Sequence, residues 1–160
     1  MTNLVEIVES YKKHSNIEME FKLKNVTKEK FLAMKNMLIS KNFPNNYFQV
    51  KDVYYENNIR VSELDVIKKT LIQTIHNDQW KFTVAEECPY ICSSYMNELF
   101  TRTKQRTRFD DKFLYIDMTY VKETESYEVE IELNNYKIVL YNSKKIMSRC
   151  DQIISMLLQV

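Results

Sequence analysis

The sequence contains no glycine. Glycine-rich phosphate loops and dinucleotide-binding fingerprints are therefore excluded, because both depend on backbone that only glycine opens. Cysteine is scarce. Cys88, Cys92 and Cys150 are an odd number without framework spacing, which reads as free thiols in a reducing compartment. His14 and His76 stand alone and Cys88-x-x-x-Cys92 has no second pair, so a zinc site lacks its ligands. Ser93-Ser94 and the cysteines have no evident base nearby, so nucleophilic catalysis is unsupported. The net charge is +1, which removes a bulk field for nucleic acid or membrane and leaves only local electrostatics. No apolar run reaches the roughly 18 residues of a membrane span, and the N-terminus lacks the apolar core of a signal peptide. An intracellular protein with no membrane partner is expected.

What is present is periodic. At 160 residues the chain suits one domain, 1–160. Leu4, Val5, Ile7, Val8 and Tyr11 have helical spacing over residues 3–14. Ile17 to Leu23 then alternates charged and apolar residues, the pattern of a strand with one charged face. Thr27 is an N-cap candidate for a helix to about Lys41, ended by the segment Asn42–Asn46 with Pro44. Strands are expected at 47–56 and 59–63 around Asn57-Asn58, a hairpin signal. Further strands follow at 66–76, 80–87, 99–109, 113–122 and 127–133, with Pro89 breaking the ladder after the 80–87 strand. From Ser143, Ile146, Met147, Cys150, Ile153, Ile154 and Leu157 return to helical spacing. The class is α+β: about eight sequential antiparallel strands, favouring a closed barrel, with flanking helices.

Alternation assigns faces. Glu18, Glu20 and Lys22 share one face of the first strand, and Glu128, Glu130 and Glu132 one face of the last. Three of the five arginines, Arg102, Arg106 and Arg108, fall on one face of the 99–109 strand with Lys104. Lys81, Thr83, Ala85 and Glu87 align on another strand, and Asp117, Thr119 and Val121 on a further one. A charged strand face is ordinarily the solvated outside. Runs of like charge, however, repel one another on such a face unless opposite rows neutralise them. A barrel with a polar lumen and an apolar exterior packed by helices satisfies both halves of the pattern. Carboxylates from two strands supply the oxygen ligands that Mg²⁺ or Mn²⁺ prefers. Arginine and lysine clamp phosphoryl oxygens, so a triphosphate matches such a lumen.

The motifs resemble, in order, those of the triphosphate tunnel metalloenzyme (CYTH) superfamily. Glu18-Met19-Glu20-Phe21-Lys22 is similar to its E-x-E-x-K signature, and Glu128-Val129-Glu130-Ile131-Glu132 to the terminal E-x-E-x-E strand of its fungal and viral branch. That branch comprises metal-dependent RNA 5′-triphosphatases of mRNA capping. Arg102-Thr103-Lys104-Gln105-Arg106 resembles its R-x-K-x-R strand, Asp117-Met118-Thr119 its D-x-T strand, and Ala85-Glu86-Glu87-Cys88-Pro89 its S/A-x-E-x-P strand end. The chain departs from the pattern at Tyr115, where a basic residue is usual, at Ala85 for serine, and in the short Thr124-Glu125-Ser126 turn.

The resemblance implies an eight-stranded antiparallel triphosphate tunnel binding Mg²⁺ or Mn²⁺ through Glu18, Glu20 and Glu132. Glu130 would act on the attacking water, with Glu87 as a supporting acid. Lys104 and Arg106 would hold the γ-phosphate beside Arg102. Asp117 and Thr119 would fix the basic rows, and Glu128 would orient a basic neighbour. Arg60 resembles the family's upstream arginine, and Lys69 or Lys68 its next lysine. The implied activity removes the γ-phosphate of nascent RNA, with NTP hydrolysis in Mn²⁺. A guanylyltransferase would be the partner in cis or in trans, and its Lys-x-Asp-Gly motif cannot occur in a chain without glycine. A minimal viral enzyme, working in cytoplasm, virion or viral factory, fits, as does the N-terminal domain of a larger capping enzyme. Two rival readings are a tunnel phosphohydrolase of tripolyphosphate or thiamine triphosphate and a non-catalytic polyanion-binding barrel.

Overall fold

The computed structural model describes residues 2–63, 65–91 and 97–160. Cys92, Ser93 and Ser94, weighed above, lie outside the described residues. Eight strands form a closed barrel: β1 (Ile17–Leu23), β2 (Asn45–Tyr55), β3 (Ile59–Ser62), β4 (Asp65–His76), β5 (Trp80–Pro89), β6 (Glu98–Asp111), β7 (Leu114–Val121) and β8 (Ser126–Leu133). The order round the wall is β1-β5-β4-β3-β2-β6-β7-β8, and every neighbour is antiparallel. Two meanders, β2 to β5 and β6 to β8, are thus closed on one side by β1. Helix α1 (Thr2–Tyr11) precedes β1, α2 (Lys28–Ser40) links β1 to β2, and α4 (Ser143–Leu158) ends the chain.

The apolar core lies outside the wall. Ile17, Met19, Phe21 and Leu23 point away from the lumen and are buried with Phe82, Ile116, Met118, Val129 and Ile131. Leu4 and Val8 of α1, Phe31, Met34 and Leu38 of α2, and Ile146, Cys150, Ile153 and Leu157 of α4 cover them. Each fully buried side chain of this size contributes roughly 1.5–3 kcal/mol. The helices thereby force the charged faces of β1 and β8 inward, because a one-residue slip would put both glutamate rows into apolar packing. Thr27 caps α2, its side chain accepting from the Lys30 amide at 3.2 Å.

Turns solve the missing glycine differently. Seven described residues have positive φ, and four are asparagine: Asn25, Asn42, Asn57 and Asn58. Asparagine tolerates the left-handed region better than other residues with a Cβ. Asn57 and Asn58, at φ 63° and 61°, make the β2–β3 hairpin the sequence signalled.

One expectation needs correction, and one element went unread. Pro89 does not follow the fifth strand but ends it, paired with Ile67. A proline is tolerated there because the terminal position loses little by lacking an N–H. A short helix, α3 (Asn135–Ile138), follows β8. Four residues are too few to show helical periodicity, and the Asn134 side chain capping the Tyr136 amide starts it.

Candidate functional site

The barrel encloses a lumen of about 490 Å³. Seven basic and seven acidic side chains line it, an interior that eight strands leave just wide enough to hold. Near the end where β1 begins and β5 and β8 finish, an adjoining cavity of about 530 Å³ shares Glu18 and Glu132 with it and adds Glu87.

The acidic rows are adjacent, not merely opposed. β1 pairs with β8, so Glu20 faces Glu132 in register and Lys22 faces Glu130. Glu18 sits beside Ala85 of β5, with Glu87 two residues on along the same face. Glu18 accepts from Lys69 Nζ at 2.9 Å, and Lys69 Nζ also lies 3.8 Å from Glu87. Glu128 is the most engaged of its row: its Oε2 accepts from Lys22 Nζ and Arg102 Nη2, both at 2.7 Å. Glu130 is looser, with Arg106 Nη2 at 3.6 Å, beyond hydrogen-bond range. Glu132 accepts from Arg108 Nη2 at 3.0 Å.

The basic row is braced from the other side. Asp117, 2% exposed, receives Arg108 in a two-pronged pair at 2.7 and 2.8 Å and lies 3.7 Å from Arg106. Thr119, fully buried, accepts from Arg106 Nε at 2.9 Å. It therefore aims that guanidinium and has no surface for a ligand. Lys104 Nζ donates to Asp52 at 2.5 Å and to the Tyr54 hydroxyl at 3.2 Å. Ser62 donates to Asp52 as well.

Protonation preferences divide these carboxylates. Burial raises Glu18, but Lys69 outweighs it and holds the group below its ordinary value. Burial likewise raises Asp52 and Glu128, and their ammonium and guanidinium partners bring both below it. Burial followed by the repulsion of Glu130 and Glu18 lifts Glu20 well above the usual range. Burial and Glu18 push Glu87 to about 7, and burial with Glu18 and Asp117 pushes Glu132 to about 8. Three carboxylates are thus short of positive charge at one place.

That shortage is what a divalent cation relieves. Hard carboxylate oxygens suit Mg²⁺ or Mn²⁺, and among the described residues the buried Oε1 of Glu87 has no hydrogen-bond partner, a vacancy that a ligand shell would fill. Among the described residues no three acidic groups already converge as a ready-made cage; Glu18 leans to Lys69 and Glu132 to Arg108. The donor set fits such an ion, and holding one would draw these carboxylates away from those ion pairs.

A pH prediction follows for chelator-treated protein. A carboxylate whose folded pKa is raised stabilises the fold fully below its unfolded value, and that contribution is lost as pH rises through the folded value. With Glu87 at about 7 and Glu132 at about 8, stability should fall as pH rises between about pH 5 and pH 8. The depressed groups Glu18, Asp52 and Glu128 act oppositely, as pH falls through and below the usual carboxylate range. Melting curves in EDTA should show Tm decreasing from pH 5.5 to 8, with Mn²⁺ abolishing the decrease. A Tm that rises across this window contradicts the assignment.

Every site residue expected from sequence is brought to this one channel. Glu18, Glu20, Arg60, Lys69, Arg102, Lys104, Arg106, Asp117, Glu128, Glu130 and Glu132 line the lumen, Glu87 its adjoining cavity, and Thr119 stands behind Arg106. Of the two lysines, Lys69 is the one that lines the lumen. Reading the sequence missed Asp52, Tyr54 and the role of Arg108. Strand β2 gives no polarity contrast, since Phe48, Val50, Asp52 and Tyr54 face in while Tyr47, Gln49, Lys51 and Val53 face out. Only the β2–β6 register carries Asp52 to Lys104. Tyr115, where the sequence departs from the tunnel pattern, stacks under Arg108 at 4.1 Å and accepts from Asn134 Nδ2 at 2.8 Å. An aromatic face thus holds the guanidinium at that position.

No protein-family model matches the sequence, and no curated protein sequence matches it. Solved structures do share the fold. An S. pombe protein described as Pct1 RNA triphosphatase superposes with a TM-score of 0.74 at 14% identity, over 96% of this chain and 91% of that one. A second structure, of that triphosphatase in complex with the Spt5 CTD, gives 0.70 at 16% over 97% and 88%. The RNA triphosphatase domain of a trifunctional mimivirus mRNA capping enzyme gives 0.68 at 17% over 99% and 97%. The chain therefore has the tunnel fold of fungal and mimiviral RNA triphosphatases, along nearly its whole length.

Proposed function

We propose that this chain is a metal-dependent RNA 5′-triphosphatase, releasing the γ-phosphate of nascent RNA as the first step of cap formation, with NTP hydrolysis as a side activity in Mn²⁺. The observation that carries this reading is the pairing in one lumen of a carboxylate group short of cations with a braced row of arginine and lysine. Seven acidic and seven basic groups nearly cancel, so a bare lumen has little attraction for a polyanion. A divalent cation held by Glu18, Glu20 and Glu132 supplies the missing charge and Lewis-acid polarisation of the terminal phosphoryl group.

The chain's own groups do the rest. Lys104 and Arg106 hold the γ-phosphoryl oxygens and stabilise charge that grows on them. Glu130, without a close ion pair, accepts the proton of the attacking water. The new P–O bond forms as the bond from Pγ to the bridging oxygen breaks, leaving diphosphate-ended RNA and inorganic phosphate. Lys69 keeps Glu18 charged, Arg60 and Lys69 stand within 4 Å of Glu87, and Glu128 aims Arg102. A guanylyltransferase, in cis or in trans, is the partner this reaction needs. The mimivirus neighbour, one domain of a trifunctional enzyme, supports a similar place for this chain as the N-terminal domain of a larger capping enzyme or a stand-alone viral one, in cytoplasm or viral factory.

Phosphate release from triphosphate-ended RNA, ATP and tripolyphosphate, with Mg²⁺ or Mn²⁺, tests this for the parent chain and Glu130→Ala. The expected result is release from RNA, reduced by Glu130→Ala about 10²- to 10⁴-fold. Release from tripolyphosphate with none from RNA would transfer the chain to the small-triphosphate hydrolases. No release with either metal would leave a polyanion-binding barrel.

A further inference from the structure

The lumen carries an aromatic step at one mouth that the γ-phosphate chemistry does not use. Phe100 pairs in register with Tyr54 across β2 and β6. The two rings stack with centroids 4.6 Å apart and planes 18° from parallel. Tyr54 is fixed from within, where Lys104 donates to its hydroxyl. Phe100 lies two residues outward from Arg102 on the same face of the strand, and it remains 51% exposed. One side of the ring is therefore held and much of the rest is offered to solvent at the tunnel entrance.

The geometry points to Phe100, backed by Tyr54, as the seat for the nucleobase of a nucleoside or RNA 5′-triphosphate whose phosphates thread inward past Arg102. This assignment rests on the triphosphatase reading above and adds which end the substrate enters and which part of it, other than phosphate, is recognised. Three observations carry it. A lumen of about 490 Å³ already crowded with charged side chains takes a phosphate chain and leaves the nucleoside outside. At roughly 3.3 Å per residue, Lys104 lies about 13 Å and Arg106 about 20 Å inward from Phe100 along β6, the stretch over which ribose and three linked phosphates must be laid. Beyond the expected ligands Glu18 and Glu132, the far mouth is lined by Asp65 and Glu87 with no basic side chain among the described residues, which disfavours an incoming polyanion, so the aromatic end is the entrance. Base-on-aromatic stacking tolerates any base, because every base has a π-face, and this suits transcripts of varied first nucleotide.

The test is equilibrium binding, by calorimetry with Mn²⁺, in a Glu130→Ala background that stops turnover and leaves Phe100 and the expected ligands intact. The probes are ATP, a short triphosphate-ended RNA and tripolyphosphate. Phe100→Ala should weaken ATP and RNA alike by roughly 5- to 100-fold and leave tripolyphosphate within about twofold. Phe100→Tyr should restore binding, and Phe100→Leu, apolar but without a π-face, should not. Equal weakening of all three probes would make Phe100 a support of the tunnel and overturn the seat, as would no weakening of any. Weakening for RNA alone would move the contact to a later nucleotide and overturn the assignment to the first. Turnover by the parent chain with nucleobase-blind binding defeats the seat but not the triphosphatase reading. Nucleobase-selective binding without any turnover defeats that reading and keeps the seat.

Discussion

Glu20→Ala is expected to lower γ-phosphate release by about a thousandfold or more with either Mg²⁺ or Mn²⁺, close to 4 kcal/mol of transition-state stabilisation. Glu20 faces Glu132 in register and feels both Glu130 and Glu18, so it is central to the carboxylate group. Among the described residues it makes no ion pair comparable with that of Glu128. Burial and like charge make its ionised form costly to the fold. Its removal should therefore leave the metal-free Tm unchanged or slightly raised, so that lost activity is not lost folding. The Mn²⁺-dependent rise in Tm, set by the affinity of the folded state for the ion, should shrink with it. Glu18→Ala and Glu132→Ala should lose activity and the Mn²⁺ shift alike, while Glu18→Ala also strips Lys69 of its partner and should lower the metal-free Tm. Activity within tenfold of the parent, with the Mn²⁺ shift intact, would remove Glu20 from the ligand set.

Asp117→Ala is expected to cost stability itself, about 3–5 kcal/mol. The carboxylate is 2% exposed and receives a two-pronged guanidinium bond from Arg108 while standing 3.7 Å from Arg106. Truncation leaves two half-buried cations facing an empty volume, and the loss exceeds the worth of either bond alone. For a chain of this size Tm should fall by about 10 °C or more. Asp117→Asn keeps shape and one acceptor, so it should fall less in Tm while losing the charge that positions Arg106. Thermal melts of both variants without metal decide the point. An alanine variant within about 2 °C of the parent would show that lumen water already shields these ions.

Much of this site was legible before any fold was known. Charges alternating with apolar residues in Ile17–Leu23 and Tyr127–Leu133 imply strands with two unlike faces, and in both the apolar face is the buried one. The same alternation in Leu99–Phe109 fixed the side on which Arg102, Lys104 and Arg106 lie. The resemblance supplied their expected roles. Three features resisted. Asp52 lies on a strand whose two faces have like polarity, so alternation carries no signal there. Arg108 was visible as a member of the basic row, but its partner Asp117 is set by the β6–β7 register. Phe100 carries no signal in the sequence because its stacking partner, Tyr54, lies on a different strand.

By itself, the sequence determined the chemistry available and its sidedness: two glutamate rows, one basic row, and apolar backs that must be covered. This information is local, since a strand's period of two sorts residues without reference to any other strand. The tertiary structure decided what those rows do to one another. Closing the wall through β1 puts Glu20 against Glu132, the β2–β6 register gives Lys104 to Asp52, Glu128 meets Lys22 and Arg102, and Glu20, Glu87 and Glu132 are left short of positive charge. Pairwise electrostatics fall off with distance and grow with burial, and both are set only when the register of every strand is fixed.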